Sequence, residues 1–182
     1  MECSGVVRRF LDLWINVPGP WNISAHLDAM NEFVLHVKPT GDISRMIGQV
    51  SDFTGWKASD GRFWLTVLSL PVLCMFLPDK YLQHWMLLVM SVNLLLGEKI
   101  SLNDLDAAEC MLKIFVRDVP KLYRGCDCVF NTHQLIHLAL YVKRFGPLWA
   151  SSAFPFEDYN GVLKKMVHGT RNPAKELINM LR

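Results

Sequence analysis

Residues 63–97 read FWLTVLSLPVLCMFLPDKYLQHWMLLVMSVNLLLG, and this stretch indicates the fold class. Two apolar runs, residues 63–77 and 85–96, lie on either side of the tripeptide PDK. Each run is shorter than the roughly 20 consecutive apolar residues that a membrane-spanning helix needs. The lengths favour two core helices buried in a folded protein. A membrane-associated helical hairpin over residues 63–97 is the alternative, and we expect no membrane partner.

The rest of the chain has the same helical character. Apolar residues recur at helical spacing in residues 6–14, 27–37, 105–119 and 133–145. No alternating segment is long enough to predict a strand, so the sequence predicts an all-α, mainly helical fold.

Local signals predict where these helices begin and end. Ser24 is expected to cap the second helix, and Ser101 and Asp104 have the spacing of a capping box. Residues 56–77 are predicted to form a helix kinked at Pro71. The next helix is predicted to have Pro78 in its first position and to end at Gly97. A turn is expected over residues 125–131, and Asn172-Pro173 is expected to start a last helix.

Composition limits the classes of protein that the chain can represent. It has 182 residues, of which 51% are hydrophobic and 20% charged, with a formal charge of +2. This length suits one domain, and the hydrophobic fraction excludes wholesale disorder. The small net charge excludes a histone-like or acidic-tail protein, although a local basic patch can still bind nucleic acid.

The cysteines indicate a reducing compartment. There are five, an odd number, scattered along the chain. Charges at Arg8, Arg9 and Asp12 interrupt the apolar stretch that a signal peptide would need. We therefore expect an intracellular protein with free thiols.

One candidate metal site has four ligand-type residues within twelve positions: Cys126, Cys128, His133 and His137. Zinc takes four sulfur or nitrogen ligands in a tetrahedron, and histidines four residues apart share one helix face. The usual zinc-finger spacing has a longer loop between the cysteine and histidine pairs. The favoured alternative is that both histidines pack against the core and the cysteines are loop thiols.

A second candidate site is the basic C-terminal stretch. Residues 143–182 contain seven Lys or Arg and three Asp or Glu, which leaves a charge of +4 against −2 for the remaining residues. Aromatic residues are interleaved with these charges, a pattern compatible with DNA phosphate contacts. A solvated helix face is the alternative. The candidate DNA-binding residues are Lys143, Arg144, Lys164, Lys165 and Arg171.

Three blocks of this sequence resemble one protein family. They begin GVVRRFLDLWI at Gly5, TGWKASDGRFWL at Thr54 and NTHQLIHLALYVKRFGPLWASSAFPFEDYNGVLKKMVHGT at Asn131. The H-x3-H pattern followed by RFGPL and then FPFE is the most specific part. In this order the blocks are similar to the C-terminal half of CACTA-type (En/Spm-like) transposase-related proteins.

The resemblance implies a ribonuclease H-like core in which three acidic residues hold two Mg²⁺ ions. Residues 1–150 would be a helical insertion, and residues 151–182 a C-terminal segment carrying FPFE, the two forming one compact unit. Glu157 would be the third catalytic acid and a Mg²⁺ ligand. His133 and His137 match family positions, whereas Cys126 and Cys128 do not, which argues against the zinc site.

The resemblance also sets the functional expectations. In the family, the second acid precedes the GVVRRFLDLWI block, and this chain begins at that place. Glu157 would then be the one implied catalytic acid in the chain, and a single carboxylate cannot organise a two-metal site. We expect a transposase-derived fragment that is inactive alone and needs no cofactor. Its expected partners are DNA, bound weakly, and a full-length transposase relative, with no small-molecule substrate. We expect the protein in the nucleus rather than the cytoplasm. The alternative is a helical protein–protein interaction module with no role for DNA.

Overall fold

The computed structural model describes residues 4–37, 47–124 and 129–150, and every regular element in these ranges is helical. The predicted all-α class is therefore confirmed for this part of the chain. The α-helices are α1 (Ser4–Asn16), α2 (Leu27–His36), α3 (Ala58–Phe63), α4 (Ser69–Leu73), α5 (Asp79–Leu95), α6 (Leu102–Leu122), α7 (Phe130–Gln134) and α8 (Leu138–Phe145). The 3₁₀ segments are Ser24–His26, Val50–Gly55 and Leu135–His137.

The chain divides into two compact units, Met1–Ala150 and Ser151–Arg182. All described residues belong to the first unit. The helix predicted to begin at Asn172-Pro173 lies outside the described residues.

Helices α5 and α6 form the central hairpin of the first unit. The six-residue connection 96–101 reverses the chain, as short helix–helix connections do. A hydrogen bond between His84 in α5 and the carbonyl oxygen of Phe115 in α6 fixes the antiparallel register. The buried rings of Trp85 in α5 and Phe115 in α6 lie 6.5 Å apart, measured between centroids.

An aromatic cluster fills the space between this hairpin and α1. The ring of Phe10 in α1 lies 5.3 Å from Phe115, 5.4 Å from Trp85 and 5.4 Å from Tyr123, measured between centroids. Trp14, one turn further along α1, has its ring centroid 4.9 Å from that of Trp85. Large aromatic side chains bury more apolar area than any others, so this cluster contributes strongly to core stability.

Two buried indole N–H groups in this core are paired with hydroxyl groups of other elements. The indole N–H of Trp85 donates to the Ser69 hydroxyl at 3.0 Å, and that hydroxyl donates to the Leu65 carbonyl oxygen at 3.1 Å. The indole N–H of Trp14 donates to the Tyr123 hydroxyl at 3.3 Å. Because an unpaired buried donor is costly, these bonds favour one packing arrangement over others.

The prediction for residues 56–77 needs correction. The helical run extends only from Ala58 to Leu73, and its irregularity is a π-helical segment, Trp64–Leu68, that precedes Pro71. The Ser69 N–H donates to the Trp64 carbonyl five residues back. Trp64, Leu65 and Leu68 are all buried, so this π-helical segment contributes three side chains to the core.

The predicted helix starts have mixed outcomes. Ser101 and Asp104 form the predicted capping box: Asp104 N–H donates to the Ser101 hydroxyl at 3.1 Å, and Ser101 N–H donates to the Asp104 carboxylate at 2.9 Å. Ser24 does not cap α2, because its hydroxyl donates to the Asn22 side chain and a 3₁₀ turn precedes α2. Pro78 occupies the capping position rather than the first helical one.

The turn predicted over residues 125–131 is wrong at its end. Phe130 and Asn131 already belong to α7, while residues 125–128 lie outside the described part of the chain. Val129 has an extended backbone and is the N-cap residue of α7. Its carbonyl oxygen accepts hydrogen bonds from the N–H groups of Thr132 and His133.

Membrane spanning can be assessed over the same ranges. Among the helices of the described residues, none combines the length and the apolar character that a bilayer crossing requires. The two apolar runs of residues 63–97 instead contribute fully buried side chains to the core, including Trp64 and Trp85.

Candidate functional site

The sequence-predicted site residues fall into two groups. Four of them lie in the described residues: His133, His137, Lys143 and Arg144. The others lie outside the described residues: Cys126, Cys128, Glu157, Lys164, Lys165 and Arg171. All four described residues belong to the continuous helical run 130–145, which is therefore the candidate site.

The orientation of the helical run 130–145 is set by the side chains that its inner face packs into the core. Thr132, Leu135, Leu138, Ala139 and Val142 are buried, at positions three or four residues apart. His133, His137, Lys143 and Arg144 are exposed. Their outward direction therefore follows from the packing of the opposite face.

Lys143 and Arg144 occupy the last turn of α8. Positive side chains are favourable there because the helix dipole places partial negative charge at the C-terminus. The chain leaves the helix at Gly146, whose φ of 85° lies in the left-handed region that glycine adopts without strain. Its N–H donates to the Val142 carbonyl at 2.9 Å and closes the final turn.

Exposed aromatic residues flank these two basic residues. Phe145 is 63% exposed and Trp149 is 47% exposed. The Phe145 ring lies 4.8 Å from that of Tyr141, centroid to centroid. We call Lys143, Arg144, Phe145 and Trp149 the α8 terminal surface. It offers two cations for phosphate oxygens and aromatic faces on which bases can stack.

The two histidines lie one helical turn apart on the outer face. The ring centroids of His133 and His137 are 5.8 Å apart, with their planes near perpendicular. Both residues are exposed. The expectation that they pack against the core is therefore wrong, and both rings can reach a ligand from solvent.

The carboxylates of the described residues do not supply a multi-ligand metal centre. Within residues 4–37, 47–124 and 129–150, no group of three or more His, Cys, Asp or Glu side chains could hold a metal ion. The Mg²⁺ ions that the resemblance implies therefore do not fit the described residues, and Glu157, their implied ligand, lies outside them.

A salt-bridge cluster on α6 surrounds the carboxyl group of Asp118. Asp118 accepts from Arg117 Nη2 at 2.9 Å and from Lys121 Nζ at 2.7 Å. Hydrogen bonds from both cations hold the pKa of Asp118 well below its usual range. Because all its partners are surface side chains of one helix, the cluster stabilises the exposed face of α6 and indicates no chemistry.

His84 is a buried titratable residue that the sequence analysis did not single out. It is only 4% exposed, and burial lowers its pKa, while the hydrogen bond to Phe115 and the charge of Asp118 act in the opposite direction. Its position between the core residues Tyr81 and Leu88 on α5 is the sequence signal that could have predicted this burial.

Comparison with known proteins adds no assignment, because no protein-family model, no curated protein and no solved structure matches this chain. The candidate site therefore has to be interpreted from its own residues.

Proposed function

We propose that this chain is a transposase-derived fragment that binds DNA weakly through the α8 terminal surface. The parent activity would be metal-dependent cleavage and strand transfer at DNA phosphodiesters, on a ribonuclease H-like core. The resemblance of the sequence blocks supports the origin. The observation that carries DNA binding is the exposure of Lys143 and Arg144 beside two exposed aromatic residues.

The charges of the α8 terminal surface also support DNA binding. Among the described residues, neither Lys143 nor Arg144 forms an ion pair, whereas Arg117 and Lys121 are both paired with Asp118. A cation already paired within the protein has to give up its partner to bind phosphate. The α8 terminal surface therefore binds a DNA backbone at a lower energetic cost than the basic residues of α6 do.

We propose that this chain alone does not catalyse DNA cleavage. The resemblance implies three acids, and it assigns Glu157 as the only one within the 182 residues. We propose that the chain acts in the nucleus, together with DNA or with a full-length relative that supplies the remaining acids.

The test is DNA binding with a charge-matched control. Fluorescence anisotropy of a short labelled duplex should give an affinity that falls as salt rises. The K143A/R144A variant should weaken binding and reduce the log–log salt slope by up to about 2, since each lost phosphate contact contributes about 0.9. The K113A/R117A control changes the net charge equally but removes the side chains paired with Glu109 and Asp118.

Two outcomes would overturn the proposal. One is the absence of salt-dependent binding by the unmodified protein. The other is an equal loss of affinity in K113A/R117A, which would mean that overall charge, rather than the α8 terminal surface, determines binding.

A helical protein–protein interaction module is the second candidate, and exposed apolar side chains favour it. Phe130 is 72% exposed at the start of α7, and Met86 and Met90 lie one turn apart on the outer face of α5. Contiguous apolar surface marks interaction sites. Self-association that is insensitive to salt, measured by analytical ultracentrifugation, would favour this candidate over DNA binding.

A further inference from the structure

We propose that His133 and His137 form a chelating site for a zinc-class divalent ion on the outer face of the helical run 130–145. Two protein imidazoles bind the ion, and water occupies the remaining coordination positions. The inference is independent of the proposed DNA binding. It also differs from the implied magnesium site, because Mg²⁺ prefers oxygen ligands whereas imidazole nitrogen suits zinc, copper and nickel.

The distance between the two rings fits a shared ion. With Zn–N bonds of about 2.0–2.1 Å and a near-tetrahedral angle, two imidazoles on one zinc ion have centroids about 5 Å apart. The observed separation is 5.8 Å. Small rotations of two exposed side chains close this difference, since neither ring is held in the core.

The backbone already holds the pair in register. His133 is the fourth residue of α7 and His137 ends the 3₁₀ segment, so both lie in one uninterrupted helical run. Between them, the buried Leu135 anchors the opposite face. The metal therefore orders only two side chains and no backbone, which lowers the entropic cost of binding.

Local charge allows the ion to bind. The basic residues of α8, Lys143 and Arg144, lie six and seven residues beyond His137, about 9–10 Å away along the helix. This distance is about one Debye length at 0.1 M salt, so repulsion of a bound dication is largely screened. With only two protein ligands, the ion keeps open positions that water or another molecule can occupy.

Isothermal titration of the full chain with ZnCl₂ tests the proposal. We expect one equivalent of Zn²⁺ to bind, and each of H133Q and H137Q to weaken the affinity by about tenfold or more. An excess of MgCl₂ should not compete. The matched control is H26Q, because His26 is also exposed but has Asn22 and Met30, not histidine, at four residues on either side.

A C126S/C128S variant separates the histidine pair from the four-ligand site predicted from sequence. The proposal requires that this variant keep Zn²⁺ binding dependent on His133 and His137. It is overturned if the unmodified chain binds no Zn²⁺ up to about 1 mM. It is also overturned if H133Q and H137Q bind as the unmodified chain does, or if the serine variant alone abolishes binding. Far-ultraviolet circular dichroism confirms that each variant is folded.

Discussion

The Nε2 atom of His84 lies 2.8 Å from the main-chain carbonyl oxygen of Phe115, and the two rings stack with centroids 4.3 Å apart. A carbonyl oxygen only accepts, so Nε2 carries the proton and Nδ1 of the neutral ring is an acceptor. Within the described part of the chain, Nδ1 is buried and has no hydrogen-bond partner. Protonation of Nδ1 would therefore place an unpaired donor and a charge inside the aromatic cluster.

Acid should destabilise the fold through His84. Its folded-state pKa lies below the ordinary value of 6.5, so the unfolded chain binds this proton more readily. The free energy of unfolding is then highest above that value and falls as the pH drops toward the folded-state pKa. Urea denaturation at a series of pH values between about 7 and 5 measures this slope.

The variant His84→Gln isolates this residue. Its side-chain amide can still donate to Phe115 but does not titrate, so the slope between about pH 7 and 5 should become shallower. At neutral pH the substitution should cost about 1–3 kcal/mol through lost stacking and altered packing. The unmodified protein, titrated in parallel, is the control. An equal slope in His84→Gln and the unmodified protein would contradict the prediction.

The all-α class and several helix boundaries could be predicted from sequence because their causes are local. Pro78, Gly97 and the Ser101–Asp104 pair act on the backbone within a few residues, and all lie within two residues of an end of α5 or α6. The exact positions differ for two of them: Pro78 is the cap and not the first helical residue, and α5 ends at Leu95, two residues before Gly97. The π segment Trp64–Leu68 could not be predicted in this way. This segment packs against α5, and a contact between separate elements is not recorded in local sequence signals.

In the candidate site, too, sequence spacing predicts the local arrangement of side chains but not their burial. Spacing alone predicts that His133 and His137 share a helix face, and their rings do lie together. Whether that face is buried depends on the opposite face, where Leu135 and Leu138 enter the core. The same periodicity argument, applied to α5, would have placed His84 among the core residues.

Loss of the Ser69 hydroxyl should destabilise the protein more than loss of another buried serine hydroxyl. Ser69→Ala leaves the buried indole N–H of Trp85 without its acceptor, which should cost about 1–3 kcal/mol. Ser91→Ala is the matched control: Ser91 is equally buried, but its hydroxyl donates only to the Leu88 carbonyl in its own helix. Thermal unfolding should show the larger decrease in Tm for Ser69→Ala, and similar decreases would mean that the Trp85 bond contributes little.

Gly19 should tolerate no side chain. A Cβ at this position would lie 2.5 Å from two atoms of the Trp21 indole ring. The indole cannot move away easily, because Trp21 is buried and its ring packs against those of Tyr81 and Tyr123.

Gly19→Ala should therefore destabilise the protein by about 1–3 kcal/mol, the usual range for overpacking. Gly48→Ala is the control, since a Cβ there meets nothing within 4 Å. Urea denaturation of both variants measures the difference in the free energy of unfolding. A Gly19→Ala variant as stable as Gly48→Ala would show that the Trp21 ring can shift without loss of packing.

The two serines predicted to cap helices should respond differently to the same substitution. The Ser101 hydroxyl accepts from Asp104 N–H, so Ser101→Ala removes a partner of a helix N-terminus and should cost about 1 kcal/mol. The Ser24 hydroxyl instead donates to the Asn22 side chain at an exposed position, so Ser24→Ala should be nearly neutral. Parallel urea titrations compare the two. If Ser24→Ala were as destabilising as Ser101→Ala, Ser24 would have to support α2 through a bond other than the one to Asn22.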